Sequence, residues 1–333
     1  MAAAWCGRVQ KKGRADLMLA QVYMPTDNMT EDQWLEARRA GIGGSDAAAI
    51  AGLSKWKTPM SVYLDKLGQA PKEHITSEAA YWGHIHEETV AREFSKRTGK
   101  KVRRRKAILQ HPDYPFMLAN VDRLIVGERA GLECKTASEY LKGEWDGEEV
   151  PDAYLVQCQH YMAVTGLSAW WIAVLIGGNK FVYKKVERDE ELIAYLIQIE
   201  QDFWKNHIEN EIPPMFDGSE ASAELLTHMY PVGFEDETEL PLAANKLIEQ
   251  YNSAKAEEKA AKERLKEAEN QLKGMLGEYE VGNAEKALVT WKTVTTNRFD
   301  TKAFAAEHPE LFEKFNKVST HRRFNVKELK DNG

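Results

Sequence analysis

Residues 169–176 read Ala-Trp-Trp-Ile-Ala-Val-Leu-Ile, eight apolar side chains in succession. A strand with one wet face alternates apolar and polar side chains, so a strand with no polar side chain must be covered on both faces. This octet is expected to be a central strand of a sheet. The turn Gly177-Gly178-Asn179-Lys180 then returns the chain into a partner strand, Phe181–Val186. Upstream, three strands are expected: Lys101–Leu109, Phe116–Val126 and Gly131–Thr136, the last two joined by Gly127-Glu128-Arg129-Ala130.

Helices are expected between and before these strands. One starts at Thr30, which has capping-box spacing with Gln33, and ends at Gly41-Ile42-Gly43-Gly44. Ser45 and Asp46 cap a second, Ala47–Ala51, and Pro59–Leu67 forms a third. Ala79–Arg97 carries Ile85, Val90 and Phe94 on one stripe. Tyr154–Thr165 and Glu190–His207 complete the set. The class is therefore α/β, with a mixed central sheet flanked by helices.

Three regions are expected along the 333 residues: an N-terminal extension (1–28), the α/β domain (29–232) and a C-terminal region (233–333). Pro213-Pro214 and the acidic stretch to Glu239 mark the second boundary. In the third region a long helix, 242–276, carries Leu247, Tyr251, Ala254, Ala261, Leu265, Ala268, Leu272 and Met275 at steps of four and three, broken by Glu258. That pattern fits a helical hairpin or coiled coil, or one solvated helix packed on its own domain. A small module follows, a strand over Ala287–Val294 and a helix over Thr301–Asn316.

Apolar residues make up 43% and charged residues 29%, which excludes wholesale disorder. Three cysteines (Cys6, Cys134, Cys158) cannot build a disulfide framework, a Cys₄ zinc site or an iron–sulfur cluster; a reducing, cytoplasmic setting is expected. No apolar run reaches the roughly 18 residues of a membrane span. Arg8, Lys11, Lys12 and Arg14 near the N-terminus lack the apolar stretch of a secretory signal. The net charge of −7 hides segregation. Lys96–Lys106 carries eight bases and no acid, whereas Asp189–Glu239 carries fourteen acids and one base. The first can meet phosphates and the second would be repelled by them.

The chemistry concentrates in "LANVDRLIVGERAGLECKTAS". Alternation puts Glu133 and Lys135 on one strand face and Leu132, Cys134 and Thr136 on the other. The four-residue turn brings Asp122, in the preceding strand, beside Glu133. Two carboxylates offer hard oxygen ligands to Mg²⁺, and an ammonium beside them can stabilise charge developing on a phosphate. This set suits metal-assisted phosphodiester hydrolysis, which can do without His and Cys, ligands that would favour zinc. The spacing taken alone also fits a surface salt bridge on a hairpin.

Four stretches, one of them spanning that segment, sharpen the reading: "WLEARRAGIGGSDAAAIAG", "WGHIHEETVAREF", "HPDYPFMLANVDRLIV…GLECKT" and "VQCQHYMAVTG". With them the chain resembles the lambda-exonuclease/YqaJ-like viral recombinase family, within the PD-(D/E)xK nuclease superfamily, over roughly residues 30 to 215. The resemblance implies a restriction-endonuclease-like core and a Mg²⁺-dependent nuclease, with Mn²⁺ substituting. It implies that Asp122 and Glu133 hold the metal with the Cys134 backbone carbonyl, and that Lys135 acts on the attacking water or the transition-state charge. Glu87, with Glu88 as its competitor, matches the family's helix glutamate, while His84 and His86 match no ligand. Gln157 and Tyr161, one turn apart on a helix, match a Q-x-x-x-Y pattern near the active site. Arg38 (or Arg39) and Ser45 match a 5′-phosphate pocket. Lys101, Arg103 and Arg105 fit contacts to the DNA backbone, or a charged edge strand. The implied activity is a 5′→3′ exonuclease on duplex ends, working with a single-strand annealing protein and assembling in some relatives as a ring trimer. The alternatives are a structure- or end-directed endonuclease and a non-catalytic DNA-binding adaptor.

Overall fold

The computed structural model describes residues 20–71 and 78–327, so Cys6 and the basic residues before Ala20 lie outside the described part. The chain divides into two compact units, at Tyr230/Pro231. In the first, the order is β1 (Gln21–Pro25), α1 (Glu31–Arg39), α2 (Gly44–Ile50), α3 (Pro59–Lys66), α4 (Glu78–Thr98), β2 (Val102–Arg103), β3 (Ala107–Gln110), β4 (Leu118–Ala119), β5 (Arg123–Ile125), β6 (Ala130–Ala137), α5 (Asp152–Thr165), β7 (Ala169–Ile176), β8 (Lys180–Glu187), α6 (Glu190–Phe203) and α7 (Glu220–Met229).

The main sheet runs β2-β5-β6-β7-β8. β6 and β7 are parallel and every other pair is antiparallel, so the sheet is mixed. The apolar octet is β7, and both of its faces are covered. Trp170, Ile172, Val174 and Ile176 pack with Cys158, Met162 and Val164 of α5. Ala169 and Ala173, with Trp171 and Leu175, pack with Val90, Ala91 and Phe94 of α4. The α/β architecture expected from the sequence, a mixed central sheet between helices, is the one the chain adopts.

Two expected strands each break in two, and the halves enter different sheets. Lys101–Leu109 becomes β2 in the main sheet and β3 in a three-stranded sheet ordered β1-β3-β4. The break follows exposure: Ala107, Ile108 and Leu109 are buried, whereas Arg103, Arg104 and Lys106 face solvent. Phe116–Val126 becomes β4 and β5, parted at the polar Asn120 and Asp122. Asp122 therefore stands at a bend rather than inside a strand. β1, which pairs antiparallel with β3, gave no strand signal. Nor did α7, whose acidic surroundings mask a helix that buries Ala221 and Leu225.

In the second unit, α8 (Ala243–Leu276) is followed by a hairpin of β9 (Val281–Asn283) and β10 (Leu288–Thr290), then α9 (Thr301–Glu307) and α10 (Pro309–Phe315). The single helix expected over Thr301–Asn316 is interrupted before Pro309, which has no N–H to donate. No described helix is long and apolar enough to cross a membrane.

The seating of β6 depends on Gly131. A Cβ there would lie 2.4 Å from the Trp170 ring, on the facing residue of β7. Gly131→Ala is expected to destabilise the chain by about 1–3 kcal/mol or more through overpacking. Thermal unfolding checks this, with Gly218→Ala, at an exposed bend with open space around its Cβ, as the comparison.

Candidate active site

The β5–β6 pairing sets Arg123 opposite Leu132 and Leu124 opposite Gly131. One step further, the same antiparallel register sets Asp122 opposite Glu133. Asp122 Oδ2 accepts the Cys134 N–H at 2.8 Å, which fixes the carboxylate at the mouth of the hairpin. Glu133 is buried on the α5 side of the sheet. Its Oε1 accepts from Gln157 Nε2 at 2.6 Å and lies 2.6 Å from Lys135 Nζ. Gln157 Nε2 also lies 2.9 Å from the Tyr161 hydroxyl, and Lys135 Nζ sits 5.4 Å from the Tyr154 ring centre. The structure thus brings Asp122, Glu133, Lys135, Gln157 and Tyr161 together. Cys134 points the other way and packs its side chain against the α4-side core.

These groups disturb one another's protonation. Burial raises the Asp122 pKa well above the ordinary carboxylate range, and repulsion from Glu133 and Glu87 adds to it. Burial would lower the Lys135 pKa, but the Glu133 and Asp122 carboxylates hold it above the ordinary lysine value, so the side chain stays an ammonium. Burial and the same two carboxylates also push the Tyr161 phenol and the Cys134 thiol well up. Glu133 Oε2 is buried with no hydrogen-bond donor. An orphaned carboxylate oxygen beside a second carboxylate is what a small oxygen-seeking cation would satisfy, so these residues fit a divalent ion such as Mg²⁺.

Glu87 arrives from α4 but is engaged elsewhere. Its carboxylate accepts from Arg123, a buried guanidinium that also donates to Glu88 Oε2 at 2.9 Å and to the Asp122 carbonyl at 2.7 Å. Among the described residues no three His, Cys, Asp or Glu side chains converge as a metal cluster. His84 is 85% exposed with Nδ1 4.0 Å from Glu87, and His86 stacks on Trp82. Arg123 follows Asp122 directly in sequence, yet nothing in the pattern marks it as the clamp between β5 and α4.

The glycine-rich turn before α2 is tied to the same centre. Ile42 N–H donates to the Phe116 carbonyl at 2.6 Å, and Leu118 N–H donates to the Ile42 carbonyl at 2.8 Å. A Cβ on Gly44 would lie 2.8 Å from the Tyr161 ring and 2.9 Å from Gln157 Cγ, so α2 rests directly on the Gln157/Tyr161 face of α5. The helix starts at Gly44 with Gly43 as its cap, earlier than the Ser45–Asp46 cap expected from sequence. Ser45 is in the first turn and exposed. Asp46 is buried, and its Oδ2 accepts the Gly43 N–H at 3.1 Å. Lys66 Nζ lies 2.7 Å from Asp46, Lys57 Nζ 3.3 Å and the Arg38 guanidinium 3.9 Å. Burial alone would raise the Asp46 pKa; these cations hold it far below the ordinary range. Lys66 Nζ also lies 3.8 Å from Asp65, so three cations share two carboxylates and the cluster keeps surplus positive charge. Lys57 and Lys66 gave no sequence signal, because only the fold brings them to Asp46.

In the basic run, Lys100 pairs with Glu128, Arg104 with Glu88 and Lys106 with Asp27. Among the described residues, Lys101, Arg103 and Arg105 have no carboxylate within ion-pair distance.

Residues 33–168 match the family model of the YqaJ-like viral recombinase domain. The uncharacterized protein YqaJ of Bacillus subtilis (strain 168) is 46% identical over 313 residues, covering 93% of this chain and 98% of that protein. Among solved structures, an alkaline exonuclease from Laribacter hongkongensis is 19% identical with a TM-score of 0.47, covering 54% of this chain and 93% of the other. A phage-related exonuclease from Haemophilus somnus 129PT is 12% identical with a TM-score of 0.40, covering 52% and 96%.

The raised Asp122 pKa has a sign that can be tested. A carboxyl whose folded pKa exceeds its unfolded value favours folding in acid and opposes it as pH rises through the folded pKa. Asp122→Asn is therefore expected to raise the melting temperature in EDTA at neutral pH, with the gain fading toward about pH 4. A tenfold change in proton affinity is worth about 1.4 kcal/mol, which sets the scale of the gain. Melts of the two proteins in EDTA across that pH range check it.

Proposed function

The chain belongs to the YqaJ-like viral recombinase family, and from that membership and its site geometry we propose that it is a Mg²⁺-dependent DNA exonuclease. In this reading it degrades duplex DNA from its ends, 5′ to 3′, and leaves 3′ single strands for recombination. The observation that carries the reading is the facing of Asp122 and Glu133 across β5–β6, with Lys135 on the same centre and one Glu133 oxygen lacking a donor.

The roles follow from the contacts. Asp122, Glu133 and the Cys134 carbonyl would hold the ion. A bound Mg²⁺, for which Mn²⁺ would substitute, supplies Lewis acidity and a more acidic water. Gln157 and Lys135 occupy Glu133 Oε1, which leaves Oε2 for the ion. Lys135, held as an ammonium, donates to the attacking water or to the charge growing on the phosphate. Glu87 neutralises Arg123 and shapes the potential at Asp122; joining the ion would require it to leave Arg123. Arg38, with the surplus charge around Asp46, and Ser45 on the first turn of α2 would take a terminal 5′-phosphate, which carries more charge than an internal one. Lys101, Arg103 and Arg105 would grip the backbone without reading sequence. A single-strand annealing protein would receive the exposed 3′ strand.

The test is digestion of 5′-phosphorylated, 5′-hydroxyl and closed-circular duplexes with Mg²⁺ and with EDTA. Expected are faster loss of the phosphorylated end, intact circles and no activity in EDTA. Lys135→Ala should lose about 10²–10³-fold in rate. Arg38→Ala should slow the phosphorylated substrate toward the hydroxyl one. Nicked circles would replace the exonuclease with an endonuclease. No cleavage of any substrate would leave a DNA-binding role.

A further inference from the structure

The second unit has almost no interior of its own: among its described residues only Leu276 is buried. Its main element, α8, is 34 residues long, about 50 Å at 1.5 Å per residue. Along it, Leu247, Tyr251, Ala254, Glu258, Ala261, Leu265, Ala268, Leu272 and Met275 step by four and three without a break in spacing. Those are the core positions of a left-handed coiled coil, and on one helix they make a single seam. The unit leaves that seam open. Leu247 is 55% exposed, Leu265 69%, Leu272 45% and Met275 81%. Tyr251, whose ring lies 5.7 Å from that of Phe324, is the one seam residue that is partly covered.

The charges beside the seam say what fits it. With Tyr251, Glu258, Leu265 and Leu272 as a positions, the e positions hold Lys255, Lys262 and Glu269, and the g positions hold Glu257 and Arg264. In a parallel, in-register pair, each g residue meets the e residue five places on in the other helix. Glu257 then meets Lys262, and Arg264 meets Glu269, each twice by symmetry. No like charges meet at these flanks. An antiparallel pair is less well matched: with Glu258 facing Ala261 it sets Glu257 beside Arg264 but Lys255 against Lys262, and a shift of one heptad either way sets Lys262 or Lys255 against itself. We propose that α8 is a self-association helix, forming a parallel two-stranded coiled coil with α8 of a second copy of this chain. In this pair Glu258, at a core position, faces its own copy, and Lys262 of the same helix, 2.5 Å from it, offsets that repulsion. A single polar core residue fixes register at a cost in stability.

The inference does not depend on the nuclease reading. The test uses the full chain. In a parallel in-register pair Ala261 meets itself, so Ala261→Cys should give a covalent dimer under mild oxidation. Glu263→Cys, on the outer face, should give only the background that the chain's own cysteines produce. Leu265→Lys with Leu272→Lys should lower the solution mass to roughly half that of the unmodified chain. Glu257→Lys, which sets a lysine against Lys262 of the other helix, should weaken the association. If Ala261→Cys links no better than Glu263→Cys, or if the double lysine variant keeps the parent's mass, the proposal is wrong.

Discussion

Two carboxylates facing each other across a hairpin dominate the site. Strand register leaves Asp122 no choice of neighbour: once Arg123 is opposite Leu132, Asp122 is opposite Glu133. The repulsion is carried in a partly dry environment, where it is stronger than in water. The surrounding residues offset it piecemeal. The Cys134 N–H serves Asp122, Gln157 and Lys135 serve one oxygen of Glu133, and Arg123 takes Glu87 out of contention. What they leave is one unserved oxygen and one carboxyl with a raised pKa. A structural salt bridge would not be built that way, because it would pair every charge.

The rest of the first unit holds that hairpin still. α5 is buried over 156–165, and its Gln157 reaches the hairpin while its His160 turns away to a second buried centre. There His160 Nδ1 lies 2.8 Å from Glu200 of α6 and Nε2 lies 2.9 Å from the Leu118 carbonyl of β4. Burial would lower the His160 pKa, but Glu200 holds it up. One helix thereby ties the sheet, α6 and the segment leading to Asp122. α2 rests on the same helix through Gly44, and its Asp46 gathers Arg38, Lys57 and Lys66.

What was legible in the sequence was what depends on local pattern. The octet announced a strand covered on both faces, and β7 is that strand. Alternation put Glu133 and Lys135 on one face, and their 2.6 Å contact follows from it. Capping-box spacing placed the start of α1 at Thr30. What was not legible depends on contacts between distant segments. Nothing local tells that Lys66 will sit on Asp46, that Arg123 will hold Glu87 and Glu88, or that Gln21–Pro25 will find β3. The split of two expected strands between sheets belongs to the same class, although Asn120 and Asp122 mark one break. Expected Glu87 chemistry met an ion pair that its own helix does not encode.

The central claim, proposed above, is that Asp122 and Glu133 hold a divalent cation, with Lys135 as its fixed neighbour. The most direct measurement is electron paramagnetic resonance of Mn²⁺ titrated into the full chain and into Glu133→Gln. The account predicts that the unmodified chain takes up Mn²⁺, that Mg²⁺ displaces it, and that Glu133→Gln loses the uptake while keeping its fold by circular dichroism. Equal uptake by both proteins, or none by the unmodified chain, would contradict it.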